Sequence, residues 1–272
     1  MQPTSELGRP ELKARTFRSM GTVVSLTVPV GPEGWTADAE ATLAAAAGAV
    51  ERRFQELDIR FSLYRPGSEA SRLARGELPL WEASPEFREC YAEAAEWRLQ
   101  TEGAFTPERP DGLPDLSGLV KGFAIKEAAA LLQSRGLSHW CLNAGGDVLV
   151  AGSPVAGSPA SWQAGIVDPL DRTALIAAYP LGGCTGGSPG LRALATSGSA
   201  ERGDHIWTQG AGGSEFRQVS VAAADIITAD VLATAIVAGG ASMLNRATDV
   251  WDVDVFAVLN DGGILATPGF RA

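Results

Sequence analysis

The sequence has few of the residues that mark disulfide-rich, zinc-binding or membrane-spanning proteins. Its 272 residues include three cysteines and two histidines. Cys90, Cys141 and Cys184 stand far apart and form neither a CxxC pair nor a metal-ligand spacing, so we expect buried, reduced thiols. No run approaches the roughly 18 apolar residues of a membrane span, and we therefore expect no stable membrane insertion.

Positive charge is also scarce. Lys and Arg total 22 against 32 Asp and Glu, which gives a net charge of −10. Because nucleic acids bind basic surfaces, we expect no nucleic-acid partner. Residues 1–20 contain no apolar signal-peptide core, and we expect a cytoplasmic protein. An acidic chain still binds phosphate where local lysines, backbone N–H groups or a divalent cation provide positive charge.

Several common catalytic motifs are missing. The sequence has no GxSxG, HExxH or GxxxxGK[ST], and no GxGxxG that follows a strand. These absences argue against Rossmann-type hydride transfer and against P-loop chemistry. The sequence also lacks internal repeats and a low-complexity linker. We predict a flexible N-terminus over residues 1–15 and one domain over residues 16–272.

Hydrophobic periodicity predicts a chain of both helices and strands. Helices are predicted from Thr36 to about Asp58, from Ser84 to Gly103, from the turn at Asp115 to about Gln133, and over 226–238. Strands are predicted over 22–30, twice within 139–152, over 163–167, 174–181, 193–196 and 216–222, and in a C-terminal hairpin.

The stretch from Asp115 to Ala124 combines an acid, small residues and Lys121 just before a predicted helix. A helix start offers unpaired N–H groups and the positive end of the helix dipole, which suit a phosphate. Glycines allow a ligand to approach the backbone closely. A surface loop that caps a structural helix is an equally good interpretation of the stretch alone.

Three further features are consistent with ligand binding. Asp230 and Thr234 are four residues apart and offer two hard oxygen ligands for Mg²⁺ on one helix face, although a polar stripe would look the same. His205 follows a Thr-Ser-Gly turn, and its ordinary alternative is a hydrogen-bonding histidine. Gly145-Gly146 indicates either a hairpin turn or a surface for a flat ligand. The residues alone indicate no more than an α/β protein that binds a phosphorylated ligand with Mg²⁺.

Eight short motifs occur in an informative order. They are Met20-Gly-Thr22; Phe61-Ser-x-Tyr64 with Ser68-Glu-x-Ser71; Gly103-Ala-Phe; Asp115-Leu-x-Gly-x-x-Lys-Gly-Phe-Ala; Leu142-Asn-x-Gly-Gly-Asp147; Trp162-x-x-Gly-Ile; Ala195-Thr-Ser-Gly198 with His205-Ile; and Ala229-Asp-x-Leu-x-Thr-Ala235. From about Met20 to the C-terminus, this series resembles the ApbE family of FAD:protein FMN transferases. The resemblance implies an α+β fold of mixed β-sheets packed with helices. It also implies that FAD and Mg²⁺, or Mn²⁺, bind in a central cleft. It further implies transfer of FMN to a Thr or Ser hydroxyl of an acceptor protein, with release of AMP.

The resemblance also assigns site residues. The metal ligands would be Asp230, Thr234 and the backbone carbonyl of Gly118. The FAD contacts would be Met20, Tyr64, Ala104, Phe105, Thr106, Asp115, Lys121, Gly145, Gly146, Asp147 and His205. We hypothesise that His205 positions or deprotonates the acceptor hydroxyl, with Asp230 as the alternative base.

Two positions depart from the family pattern. Thr106 stands where members usually carry Asp, and the connection to the Asp115 turn is short. The segment after His205-Ile lacks the acid that usually follows. The missing carboxylates leave two alternatives to a transferase. One is an FAD pyrophosphatase that yields FMN and AMP, and the other is a non-catalytic FAD-binding or flavin-carrier protein.

Overall fold

A computed structural model describes residues 10–155, 157–185, 188–198 and 214–270. The strands are β1 (Leu12–Ser19), β2 (Thr22–Pro29), β3 (Trp140–Ala144), β4 (Asp147–Ala151), β5 (Trp162–Val167), β6 (Leu175–Leu181), β7 (Cys184–Thr185), β8 (Ser188–Pro189), β9 (Ala193–Gly198), β10 (Phe216–Ala223), β11 (Asp254–Leu259) and β12 (Ile264–Ala266). The α-helices are α1 (Ala37–Phe61), α2 (Glu69–Ala74), α3 (Pro85–Gln100), α4 (Ser117–Ser134) and α5 (Ile226–Val250). The predicted α+β class is confirmed.

One eight-stranded sheet organises the fold. Its strand order is β1-β2-β3-β4-β9-β10-β11-β12, and two-stranded sheets form from β5 with β6 and from β7 with β8. Neighbouring strands in the described residues pair antiparallel. Strands β4 and β9 are far apart in sequence but adjacent in the sheet. Their pairing brings together residues of the site described below.

Both faces of the central strands are covered, which explains their nearly continuous apolar sequences. Leu149 on β4 belongs to the main core beneath the helices, whereas Val148 and Val150 belong to a second core. The hairpin of β5 and β6 closes this second core and contributes Trp162 and Tyr179. The main core contains residues from β2, β3, β4, β9, β10 and β11.

The N-terminal boundary differs from the prediction. Residues 12–15, assigned to a flexible N-terminus, lie in β1, which pairs with β2 from Leu12↔Pro29 to Ser19↔Thr22. The strand lies at the sheet edge and most of its side chains are exposed or half-buried. A polar edge strand is stabilised by backbone pairing, so it has no apolar run from which it could be predicted. The rest of the predicted flexible segment, residues 1–9, lies outside the described residues.

Helix α5 is longer than predicted. It begins after Asp225, whose side chain accepts a hydrogen bond from Thr228 N, and it continues past the predicted end at residue 238. The helix is broken at Gly240, with φ of 65°, and Glu215 accepts a hydrogen bond from Ala241 N at 3.0 Å just after the break. By length and composition α5 could cross a membrane, but 61% of its apolar window is buried within the described structure. Core helices pass the same test, and α5 packs on α4, β9 and β10.

Candidate active site

Buried and half-buried polar side chains cluster where α4 and α5 meet the ends of β4 and β9. The cluster contains Lys121, Asp147, Ser197, Asp230 and Thr234, together with the backbone N–H of Thr196. Asp147 is completely buried and Asp230 is 3% exposed. Charges buried to this extent are costly unless other charges or hydrogen bonds compensate them, so the arrangement of this cluster is functionally informative.

Lys121 lies between two carboxylates. It forms an ion pair with Oδ2 of Asp147, and its Nζ is 4.0 Å from Oδ1 of Asp230. The other oxygen of Asp147 accepts a hydrogen bond from Thr196 N at 3.1 Å. Asp147 is thus held by both α4 and β9. One lysine and two carboxylates together leave the cluster with a net negative charge in their charged forms.

Helix α5 presents Asp230 and Thr234 on one face, as their spacing predicts. The Thr234 Oγ1 is 3.1 Å from Ser197 Oγ on β9. Gly122 on α4 lies beside Asp230, since a Cβ at this position would be 3.4 Å from Asp230 Oδ2, an ordinary van der Waals contact. The two helices therefore pack closely enough to bring the carboxylate next to the α4 backbone.

Gly118 lies close to the same helix face. A Cβ at Gly118 would lie 4.0 Å from Thr234 Cγ2 and 3.1 Å from Phe105 Cε2. Asp230, Thr234 and the Gly118 backbone, the predicted metal ligands, therefore occupy one region. In the described ranges, no group of three or more His, Cys, Asp or Glu residues could hold a metal. One carboxylate with neutral oxygens fits Mg²⁺, which takes its other ligands from water and substrate phosphates.

The segment from residue 103 to 108 is fixed by side-chain hydrogen bonds. Thr106 Oγ1 accepts a hydrogen bond from Glu108 N at 3.2 Å, a turn that an aspartate makes in the same way. Glu108 in turn accepts from Tyr91 Oη at 2.7 Å and pairs with Arg98 at 3.1 Å. Burial, together with the Glu108 carboxylate, raises the pKa of Tyr91 to about 12. Thr106 thus keeps the turn without adding a negative charge.

Two tight hairpin turns lie side by side at one end of the sheet. Met20 joins β1 to β2 with a positive φ of 50°, and Gly145-Gly146 joins β3 to β4. Gly145 N donates to Val23 O at 3.1 Å, and a Cβ on Gly145 would collide with Thr22 Oγ1. The glycine pair is therefore a hairpin turn. Its role as a surface for the flavin stays a prediction.

The remaining predicted FAD contacts have varied positions. Tyr64 is 82% exposed in the loop after α1, and Asp115 Oδ1 accepts from Ser117 N at 2.9 Å at the start of α4. Ala104 lies against α5, since a Cβ built on Gly239 of that helix would be 3.1 Å from the Ala104 Cβ. His205, the predicted base, lies outside the described residues.

The sequence does not single out Ser197, whose hydroxyl contacts Thr234, as a site residue. The neighbouring Thr196 and Ser220 hydroxyls are 2.8 Å apart and lie on the opposite face of the sheet, with the second core. The sequence signal is the short Thr-Ser-Gly motif ending at Gly198, and its prediction as a turn before His205 is wrong, because these residues lie in strand β9. Its meaning depends on β9 pairing with β4, which the sequence alone does not reveal.

The fold and this cluster of oxygen donors define an α+β protein with a buried polar site between two helices and a sheet. The model of the ApbE family matches residues 20–111 and 109–255, so the chain belongs to the ApbE family. Among curated proteins, no sequence matches it significantly.

Solved structures share the fold over nearly the whole chain. The flavin transferase ApbE from Vibrio cholerae superposes with a TM-score of 0.73 at 21% identity, covering 97% of this chain and 99% of that chain. The ApbE protein from Thermotoga maritima gives 0.74 at 19% identity, with 96% and 98% covered. The apo flavinyl transferase ApbE from Pseudomonas stutzeri gives 0.71 at 18% identity, with 98% of each chain covered.

Proposed function

We propose that this protein is an Mg²⁺-dependent flavin transferase that moves FMN from FAD to a Thr or Ser hydroxyl of an acceptor protein and releases AMP. The observation that carries the proposal is the convergence of Gly118, Asp230 and Thr234 beside Lys121 in a chain of the ApbE family. The names of two solved relatives, which describe transfer of flavin, support the same reaction.

The site residues divide into two groups. Asp230, Thr234 and the Gly118 carbonyl would hold the divalent cation, while Lys121 would face the phosphate charge. A bound Mg²⁺ would supply neutralisation of the charge that develops on the phosphate oxygens. The other proposed FAD contacts are Met20, Tyr64, Ala104, Phe105, Thr106, Asp115, Gly145, Gly146, Asp147 and His205.

The transfer step exchanges one P–O bond for another. The acceptor hydroxyl oxygen forms a bond to the phosphorus of the FMN half, the pyrophosphate P–O bond to AMP breaks, and AMP leaves with the electron pair. The hydroxyl proton passes to a base, for which His205 is the proposal and Asp230 the alternative. A carboxylate that holds a cation is a poor base, which favours His205.

The test follows AMP release from FAD with Mg²⁺ and weighs a candidate acceptor domain by intact-mass spectrometry. We expect the acceptor to gain one FMN, and we expect Asp230→Asn to abolish the gain while the matched change Asp249→Asn, exposed on the same helix, preserves it. AMP with free FMN and an unmodified acceptor would favour an FAD pyrophosphatase. Bound FAD without AMP would indicate a carrier.

The base is tested separately. We expect His205→Ala to lower the transfer rate while Mg²⁺-dependent FAD binding, followed by flavin fluorescence, persists. Full transfer by His205→Ala would remove His205 from this role and leave Asp230 as the base.

A further inference from the structure

Asp147, one of the proposed FAD-site residues, contacts Lys121 directly. Its side chain is completely buried, and one carboxylate oxygen pairs with Lys121 while the other accepts from Thr196 N. Both contacts fix the carboxylate below the hairpin turn at Gly145-Gly146. We propose that Asp147 is a positioning residue that holds the Lys121 ammonium away from Asp230, so that Asp230 stays available to a divalent cation.

The reason is competition between two cations for one carboxylate. Lys121 Nζ is already 4.0 Å from Asp230 Oδ1, within the range of an ion pair. Lys121 is 12% exposed, and little water is present to replace a lost partner. If Asp147 lost its charge, the lysine would therefore move onto Asp230, because an ammonium in so buried a site needs a carboxylate.

The position of Asp147 suits this task. It is the first residue of β4, while Asp230 is on α5 and Lys121 is on α4. The Thr196 N–H that fixes Asp147 belongs to β9, the strand that also carries Ser197 beside Thr234. One strand, β9, therefore contacts both Asp147, the counter-ion of Lys121, and the proposed metal ligand Thr234.

The inference rests on the proposed cation site of the transferase, and metal binding without FAD tests it. The probe is Mn²⁺ alone, whose free electron paramagnetic resonance signal falls as the ion binds. We expect the parent protein to bind Mn²⁺ and Asp230→Asn to lose that binding. We expect Asp147→Asn to weaken Mn²⁺ binding by about tenfold or more, the usual effect of losing a supporting residue just outside the metal ligands.

A double variant separates this role from a merely structural one. Asp147→Asn with Lys121→Met removes the competing cation and retains the net charge of the parent cluster, so we expect Mn²⁺ affinity to return towards the parent value. Lys121→Met alone should bind Mn²⁺ at least as tightly as the parent, which keeps the proposal testable should Asp147→Asn fold poorly. Asp254→Asn changes a half-buried hydrogen-bonding residue on the opposite face of the sheet. It controls for general destabilisation and should leave Mn²⁺ affinity unchanged.

The outcomes are distinct. Unchanged Mn²⁺ affinity in Asp147→Asn, a double variant no better than Asp147→Asn, or a parent that binds no Mn²⁺ would overturn the inference. Failure of the proposed function shows in a different assay, as FAD that yields neither AMP nor a modified acceptor. If the parent protein transfers FMN but Asp147→Asn does not change Mn²⁺ affinity, the inference is refuted and the proposed function stands.

Discussion

The hydroxyl oxygens of Ser197 and Thr234 lie 3.1 Å apart and join β9 to the proposed cation-binding face of α5. A threonine oxygen that faces a cation must direct its own proton elsewhere, and Ser197 Oγ is placed to accept it. Ser197 therefore orients Thr234 in the way that Asp147 holds Lys121.

Replacing Ser197 with Ala should lower Mn²⁺ affinity by about tenfold, because Thr234 loses the partner that orients its oxygen. The measurement is the same Mn²⁺ titration, with Ser242→Ala, an exposed serine of α5, as the matched control. Equal affinities in the two variants would mean that the contact between Ser197 and Thr234 is structural only.

A pair of Gly→Ala variants tests the close packing at the site. Gly118→Ala should destabilise the protein by about 1–2 kcal/mol and weaken FAD binding, because its Cβ would press on the buried Phe105 ring at 3.1 Å. Gly48→Ala, inside α1, meets only the end of Arg52 at 3.6 Å and should stabilise by about 0.5–1 kcal/mol. Urea denaturation and flavin fluorescence measure the two effects. If Gly118→Ala changed neither stability nor FAD binding, the Phe105 ring could move away from Gly118 without cost.

Asp254 fastens the C-terminal segment to the β5–β6 hairpin. Its carboxylate accepts hydrogen bonds from Tyr179 Oη at 2.7 Å, from Thr267 Oγ1 and from Gly269 N. Asp254→Ala should lower the free energy of unfolding by about 2 kcal/mol, since it leaves half-buried donors without an acceptor. The control in urea denaturation is Asp261→Ala, which removes an exposed aspartate that accepts one hydrogen bond, from Gly263 N, and should cost less. FMN transfer should persist at temperatures where Asp254→Ala is folded, because the hydrogen bonds of Asp254 lie on the sheet face opposite the proposed site.

Cys90 should resist thiol reagents in the native protein. Burial raises the pKa of its thiol to about 12, so only about one molecule in ten thousand carries the thiolate at pH 8. Iodoacetamide labelling read by peptide mass spectrometry should modify Cys90 only after denaturation.

The sign of the associated pH effect follows from the raised pKa. The neutral thiol stabilises the folded state below the ordinary pKa of about 9, and this contribution is lost as pH rises towards 12. Rapid native labelling of Cys90 would contradict its burial.

Helix starts were the easiest part of the fold to predict. Thr36, Ser68 and Ser84 cap α1, α2 and α3 through hydrogen bonds to backbone N–H groups three residues ahead, and the residue types alone indicate such caps. Two elements that were not predicted in full are strand β1, at the edge of the sheet, and helix α5, which contains a break. Edge strand β1 shows no apolar alternation, and the break at Gly240 concealed the second half of α5.

The sequence by itself determined the helix caps, the apolar strands and the shared face of Asp230 and Thr234, because these depend on neighbours within one turn or on alternation along one strand. Only the tertiary structure decided that Lys121 reaches both Asp147 and Asp230, and that Ser197 meets Thr234. Those contacts join α4, β4, β9 and α5 across a sheet in which β4 pairs with β9 rather than with β5. No local propensity encodes that pairing, since burial of both sheet faces selects it for the chain as a whole.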